Sequence, residues 1–343
     1  MSNNDLEKYS GLFDRISSII EQSRQRIVTS VNTEMVHCYW AIGKEIIEEE
    51  QKGRERAEYG KAIIDNLSNN LIDRFGKGYS KRNLWSFRQF YLTYQNVNAL
   101  RAELSWTHYR SLIRIDEGNK RSFYEIECIK NNWSTRELER QINSLLFERL
   151  ALSRDKAGVL ELATKGQSLL TPADLVKDPY VLEFLGLKET EKLYENSLES
   201  ALIEHLQHFM LELGKGFTFV ARQKRITLDG SHFYIDLVFY NYLLKCFVII
   251  DLKTGELTHQ DIGQMQMYVN FYHRELTPEG DNPPIGIVLC ADKKDAVVKY
   301  TLPEDNKQIF ASRYKLYLPT EEELKQELIK EKELIELYKT QQE

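Results

Sequence analysis

The sequence predicts an α+β chain, an all-helical N-terminal half followed by a mixed sheet flanked by helices, and three observations carry that reading. Apolar residues keep a helical spacing through the first half, as in Ile16, Ile20, Ile27, Val31 and Met35. Beyond residue 216 the apolar residues instead gather in short runs rich in Val, Ile and Phe, such as Phe247-Val-Ile-Ile250 and Ile285-Gly-Ile-Val-Leu-Cys290. Those runs follow one helical pattern and enclose another, which gives the order helix, three strands, helix, strand.

Taken in order, residues 16–42 form one long or two abutting helices, and 62–75 continues the helical pattern. Gly76-Lys-Gly78 breaks it, and Ser80 is a suitable N-cap for the helix that begins Lys81-Arg-Asn-Leu-Trp85. Residues 71–90 hold five basic side chains against one acid, and helix, glycine turn and basic-aromatic helix resemble a helix-turn-helix. Lys81, Arg82 and Arg88 are its candidate DNA contacts, although Leu84, Phe87 and Phe90 on the same helix read as core. The first domain is placed at 1–155. Polar residues, Thr171-Pro172 and Asp178-Pro179 mark a linker over 156–178.

The second domain, 179–320, opens with a helix over 198–213 that Gly214 and Gly216 end. A strand over 217–228 turns back at Asp229-Gly230, a pair suited to a tight hairpin. Two further strands follow, His232–Tyr240 and Lys245–Lys253. Thr258 and Asp261 have the spacing of a capping box for a helix over 258–274. After the strand 285–290, Tyr314–Leu318 supplies a further strand, and 321–343 is a charged C-terminal helix.

The chemistry sits where the two middle strands end. Side chains alternate along a strand, so Asp251 and Lys253 share a face. A hairpin turning around Leu243 and Leu244 sets Asp236 opposite Asp251, with Cβ atoms roughly 5 Å apart. Two carboxylates that close repel unless a cation sits between them, and hard oxygen ligands favour Mg²⁺ or Mn²⁺. Other acid-x-Lys triplets, such as Asp292-Lys-Lys294 and Glu323-Leu-Lys325, do not end an apolar run. Charges embedded in apolar strands are seldom left unpaired. On the following helix Gln264 and Tyr268 stand one turn apart. Gln264 there can reach a phosphate or base, and Tyr268 can stack on nucleic acid or pack on the sheet.

This order, with acid-x-Lys on a strand and Gln-x-x-x-Tyr on the next helix, resembles the PD-(D/E)XK nuclease superfamily and its RecB-like branch. Leu198-Glu-Ser-Ala-Leu-Ile-Glu-His-Leu206, Phe209–Phe217, Arg222-Gln223 and Ile262-Gly-Gln-Met265 are similar to YhcG-type nucleases. So are Leu104-Ser-Trp-Thr-His-Tyr109 and Trp133–Arg140 in the first half. The resemblance implies a restriction-endonuclease-like core with metal-binding acids at Asp236 and Asp251 and a catalytic lysine at Lys253. It also implies a helix-borne acid at Glu199, which would join the metal site, and an accessory glutamine at Gln264. The acid before x-Lys is Asp here rather than the commoner Glu, one carbon closer to the backbone.

Composition sets the outer bounds. Net charge is −6, and 29% charged with 42% hydrophobic residues is ordinary globular composition. Residues 1–150 hold 23 Lys and Arg against 21 Asp and Glu, so the acidic excess lies in the remainder. No apolar run reaches the roughly 20 residues of a membrane span, and the first residues lack a signal-peptide pattern. Cys38, Cys128, Cys246 and Cys290 are too scattered for a zinc site or disulfide framework. The expectation is a cytoplasmic, Mg²⁺-dependent endodeoxyribonuclease, with Mn²⁺ as an alternative ion. Duplex or branched DNA and a second copy of the chain are the partners this pattern allows. A catalytically silent DNA-binding or scaffold protein on the same fold is the alternative.

Overall fold

Apolar residues at helical spacing wind the first segment into a single helix, α1 (Asn3–Lys52), in the computed structural model of the chain. The structure describes residues 3–52, 57–151, 156–167, 169, 171–187, 194–293, 295–303, 305–320 and 322–323. It divides into two units, Met1–Glu139 and Arg140–Glu343. Apart from Glu322 and Glu323, the expected C-terminal helix lies outside the described residues.

In the first unit α1 is followed by α2 (Ala57–Phe75), a single 3-10 turn, and α3 (Lys81–Thr93). Then come α4 (Trp106–Leu112), α5 (Gly118–Lys130) and most of α6 (Thr135–Asn143). Ile46, Ile64, Leu84 and Phe87 form a core against which Tyr39 and Trp106 pack, and Tyr39 stacks on Phe87 at 4.3 Å. Gly43 lets α1 approach α3 closely, since a methyl group there would overlap the Phe87 carbonyl.

The second unit begins with α7 (Leu146–Ala151) and α8 (Lys156–Lys165), so a helix occupies part of the segment expected as linker. The division falls before residue 155 for a physical reason. Arg140 and Arg149 both reach Glu212, deep in this unit. A short strand β1 (Tyr180–Val181) follows. The expected helix 198–213 is broken at His205 into α9 (Glu195–Glu204) and α10 (Leu206–Leu213). Strands β2 (Phe217–Leu228), β3 (Ser231–Asn241) and β4 (Cys246–Glu256) lead to α11 (His259–Phe271). Then β5 (Ile285–Asp292), α12 (Asp295–Thr301) and β6 (Ile309–Lys315) complete the unit. The last strand starts earlier than the expected 314–318, because β6 pairs with β5 from Ile309↔Gly286 onward.

The sheet order is β1-β6-β5-β4-β3-β2. β2, β3 and β4 are antiparallel and β4, β5 and β6 parallel, which explains the unbroken apolar runs of β4 and β5: both faces are covered. On one face Leu198, Leu202, Phe209 and Leu213 of α9 and α10 pack on Phe239, Val248, Ile250 and Ile287. On the other, Ile262, Met265, Tyr268 and Val269 of α11 pack on Ile235, Val238, Ile249 and Val288. This is the mixed, helix-flanked sheet that the sequence predicts. No helix among the described residues is long and apolar enough to cross a membrane.

Candidate active site

The site is set by one hairpin. β3 and β4 pair in the register Leu237↔Ile250 through Asn241↔Cys246, so the turn centres on Leu243 and Leu244, the hairpin that sets Asp236 opposite Asp251. Asn241 holds that turn, its Oδ1 accepting the Leu243 and Leu244 N–H groups at 3.1 Å each. One step beyond the ladder's last pair come Asp236 and Asp251. The Leu252 N–H donates to Asp236 Oδ2 at 2.8 Å, which fixes this carboxylate beside β4.

Asp251 is 2% exposed, and Lys253 Nζ lies 2.9 Å from its Oδ2 as an ion pair. Glu199 on α9 is likewise buried. The residue that joins these acids is Gln223 on β2, whose Nε2 donates to Glu199 Oε2 at 2.6 Å and to Asp236 Oδ1 at 3.0 Å. Gln223 adopts a φ of 44°, a left-handed conformation unusual for a non-glycine residue. Arg222 Nε stands 3.5 Å from Glu199 Oε1. Lys253 also faces Glu195 at 4.0 Å and Asp261 at 3.9 Å, so acids surround its ammonium.

Electrostatics follow from this geometry. Burial raises the Asp251 carboxyl to about 7, the Lys253 charge opposing and the Asp236 charge reinforcing that rise. Burial also raises Asp236, against the Leu252 N–H, Lys253 and Gln223. Glu199 is raised by burial too, with Gln223 opposing and Asp236 adding to it. Burial alone would lower Lys253, but Asp251, Glu195 and Asp261 hold it above its ordinary value and therefore charged.

Two buried carboxylate oxygens, Glu199 Oε1 and Asp251 Oδ2, accept no aligned hydrogen bond. Each instead faces a cation, Lys253 at 2.9 Å from Asp251 Oδ2 and Arg222 at 3.5 Å from Glu199 Oε1. Among the described residues no three His, Cys, Asp or Glu side chains converge into a ready-made metal cage. A Mg²⁺ ion does not need one, since it keeps several waters and takes only one or two carboxylates. The donor set is all oxygen, and it fits such an ion.

The other expected site residues divide. Gln264 donates to the Tyr268 hydroxyl, which donates to the Tyr234 carbonyl at 2.9 Å. Tyr268 is fully buried in the core between α11 and the sheet, so it cannot stack on a nucleobase in this arrangement. Its ring packs and its hydroxyl links α11 to β3. In the other unit, Lys81 is paired with Asp65 at 2.9 Å, and Arg88 with Glu50 at 2.9 Å. Arg82 is exposed.

Comparison with known proteins gives this arrangement a lineage. The YhcG PDDEXK nuclease domain matches residues 173–329, and the DUF1016 N-terminal domain matches residues 15–149. The chain is 37% identical to the candidate nuclease YhcG of Escherichia coli (strain K12), over 96% of each. It belongs to the YhcG family of PDDEXK nucleases. Two solved structures are more distant: a repair endonuclease from Pyrococcus abyssi (17% identity, 38% of this chain, TM-score 0.26) and an EndoMS–dsDNA complex (14%, 39%, TM-score 0.27). The chain spans about half the length of each of them.

Two features of the YhcG-family site escaped the sequence reading. Gln223 stands in the family-like Arg222-Gln223 pair, but its bridge reaches Glu199 and Asp236, 24 and 13 positions away, which strand alternation does not report. Asp261 reads as half of a capping box, which it is, yet it also faces Lys253.

Proposed function

We propose that the protein is a Mg²⁺-dependent nuclease that hydrolyses phosphodiester bonds in DNA, with Asp236, Asp251, Glu199 and Lys253 as its working groups. The observation that carries this reading is the buried Asp251–Lys253 ion pair at a strand end, beside Asp236 and Glu199 bridged by Gln223. Asp236 and Asp251 would hold the ion, with Glu199 fixed beside them through Gln223. When bound, a divalent cation polarises a phosphoryl oxygen and makes water a better nucleophile. Lys253, kept charged by its acidic neighbours, would orient that water and offset negative charge growing on the attacked phosphate. Gln223 would hold Glu199 and Asp236 at a fixed separation. Gln264, tied to Tyr268, positions α11 beside the site. The helical unit would supply DNA or partner contact.

The test is a substrate panel of plasmid, linear duplex, branched DNA and RNA with Mg²⁺ or Mn²⁺, run beside Asp251→Ala and Lys253→Ala. DNA cleavage by the wild type that both variants lack is expected. Cleavage that persists in both variants rejects these residues, and binding without cleavage in either metal leaves a DNA-binding protein on a nuclease fold.

A further inference from the structure

Helix α3 and the end of α4 flank an open, shallow concavity of about 370 Å³ in the helical unit, lined by Arg82, Trp85, Gln89, Arg110 and Arg114 among others. Three guanidinium groups from separate turns of chain therefore share one concavity, and no carboxylate lines it. Their neighbours on α3 show how unusual this is. Lys81 is neutralised by Asp65 and Arg88 by Glu50, whereas Arg82, Arg110 and Arg114 form no ion pair among the described residues. Like charges gathered this way repel one another, and an anion relieves that repulsion. Guanidinium groups bind phosphate through paired N–H donors, which makes a phosphate the fitting anion.

The rest of the wall argues for more than a bare ion. The volume falls in the range of small-molecule sites, roughly 300–1,000 Å³. Trp85 is 43% exposed, so part of its ring faces the concavity's solvent side. The Arg88 guanidinium lies 5.3 Å from its centroid and is anchored by Glu50, which holds the indole in place. An exposed indole beside arginines is the pairing that single-stranded nucleic acid uses, bases stacking while cations take the backbone. Gln89 adds an amide with both a donor and an acceptor, suited to a base edge.

We infer that this pocket binds a nucleotide, its phosphate on Arg82, Arg110 and Arg114 and its base against Trp85. The nucleotide can come from an unpaired stretch of a DNA strand or from a free mononucleotide, and the chemistry of recognition is the same. The strand source rests on the nuclease reading above, but the pocket's occupancy does not.

The experiment is fluorescence anisotropy of labelled oligo-dT with the full-length protein, without divalent metal so that nothing is cut, with dTMP as competitor. The double variant Arg110→Gln/Arg114→Gln should bind oligo-dT about tenfold or more weakly, with a shallower salt dependence. Arg136→Gln, an exposed arginine outside the pocket, should bind as wild type. Tryptophan fluorescence should be quenched on binding in the wild type and not in Trp85→Phe. Unchanged melting temperatures exclude a folding defect. Displacement by dTMP assigns the pocket to free nucleotide, and binding of oligo-dT without such displacement assigns it to a strand. Wild-type affinity for both probes in the double variant, or no binding of either probe by the wild type, overturns the inference. A cleavage assay of Lys253→Ala reads the nuclease site separately, so either claim can fail alone.

Discussion

Glu212 and Asp251 are both buried carboxylates of the same unit, and the protein treats them in opposite ways. Glu212 on α10 is fully buried, with Arg149 Nη1 at 2.5 Å, Arg140 Nη2 at 3.3 Å and the Val181 N–H at 3.0 Å on its oxygens. Lys177 donates to its backbone carbonyl. Burial would raise its pKa, but Arg149, Lys177 and Arg140 overcome burial and hold it down at about 2. Asp251 has a single cation, Lys253, with other carboxylates nearby, and burial carries it up to about 7. Burial by itself therefore marks neither site as functional. What separates them is partner accounting: Arg149, Lys177 and Arg140 together hold Glu212 charged, whereas Asp251 has Lys253 alone against the nearby Asp236 and Asp261.

That contrast breaks most directly on stability. Glu212→Gln leaves Arg149 buried without its counter-charge and should cost about 3–5 kcal/mol in urea unfolding. Asp251→Asn removes a carboxylate whose charged form burial disfavours and should leave metal-free stability equal or higher. Should both variants lose stability alike, the distinction between the two carboxylates is wrong.

Lys253→Ala sharpens the functional side. It should lower cleavage by about a hundredfold or more, roughly 3 kcal/mol of transition-state stabilisation. Its metal-free stability should change little, because the Asp251 carboxyl then simply takes up a proton. Single-turnover cleavage and urea unfolding of the same preparation check both halves.

The two carboxylates should also give opposite pH dependences. Glu212 is depressed on folding, so its contribution is present above about 4.5 and is lost as pH falls toward 2. Asp251 is raised, so without metal its protonated form favours the fold at low pH, and that contribution is lost as pH rises from about 4 to about 7. Urea midpoints across pH should lose the upper slope in Asp251→Asn and the lower one in Glu212→Gln.

The smallest effect is expected at Tyr268. Tyr268→Phe removes the hydrogen bond to the Tyr234 carbonyl and should cost about 1 kcal/mol, with cleavage largely retained. A loss of DNA affinity without a loss of stability would instead show that the hydroxyl meets substrate.

These differences explain what the sequence could disclose. The β3–β4 register was legible once the hairpin turned at Leu243 and Leu244, because that turn alone sets Asp236 opposite Asp251. Glu212 carried a readable signal that went unused, a lone acid inside Phe209-Met-Leu-Glu-Leu213. Its partners Arg140 and Arg149 lie some seventy residues upstream, a separation no local pattern reports. Helical spacing in α1 was equally plain. It did not show that Phe13, Ile19 and Ile27 stand exposed, because periodicity defines a face and not what covers it.

A titration of divalent cation against stability tests the central claim most directly, in wild type and Asp251→Asn together. The account predicts that Mg²⁺ or Mn²⁺ raises the wild-type unfolding free energy by about 3 kcal/mol at a hundredfold excess over Kd and leaves that of Asp251→Asn unmoved. Equal stabilisation of both proteins, or none of the wild type by either ion, would contradict it.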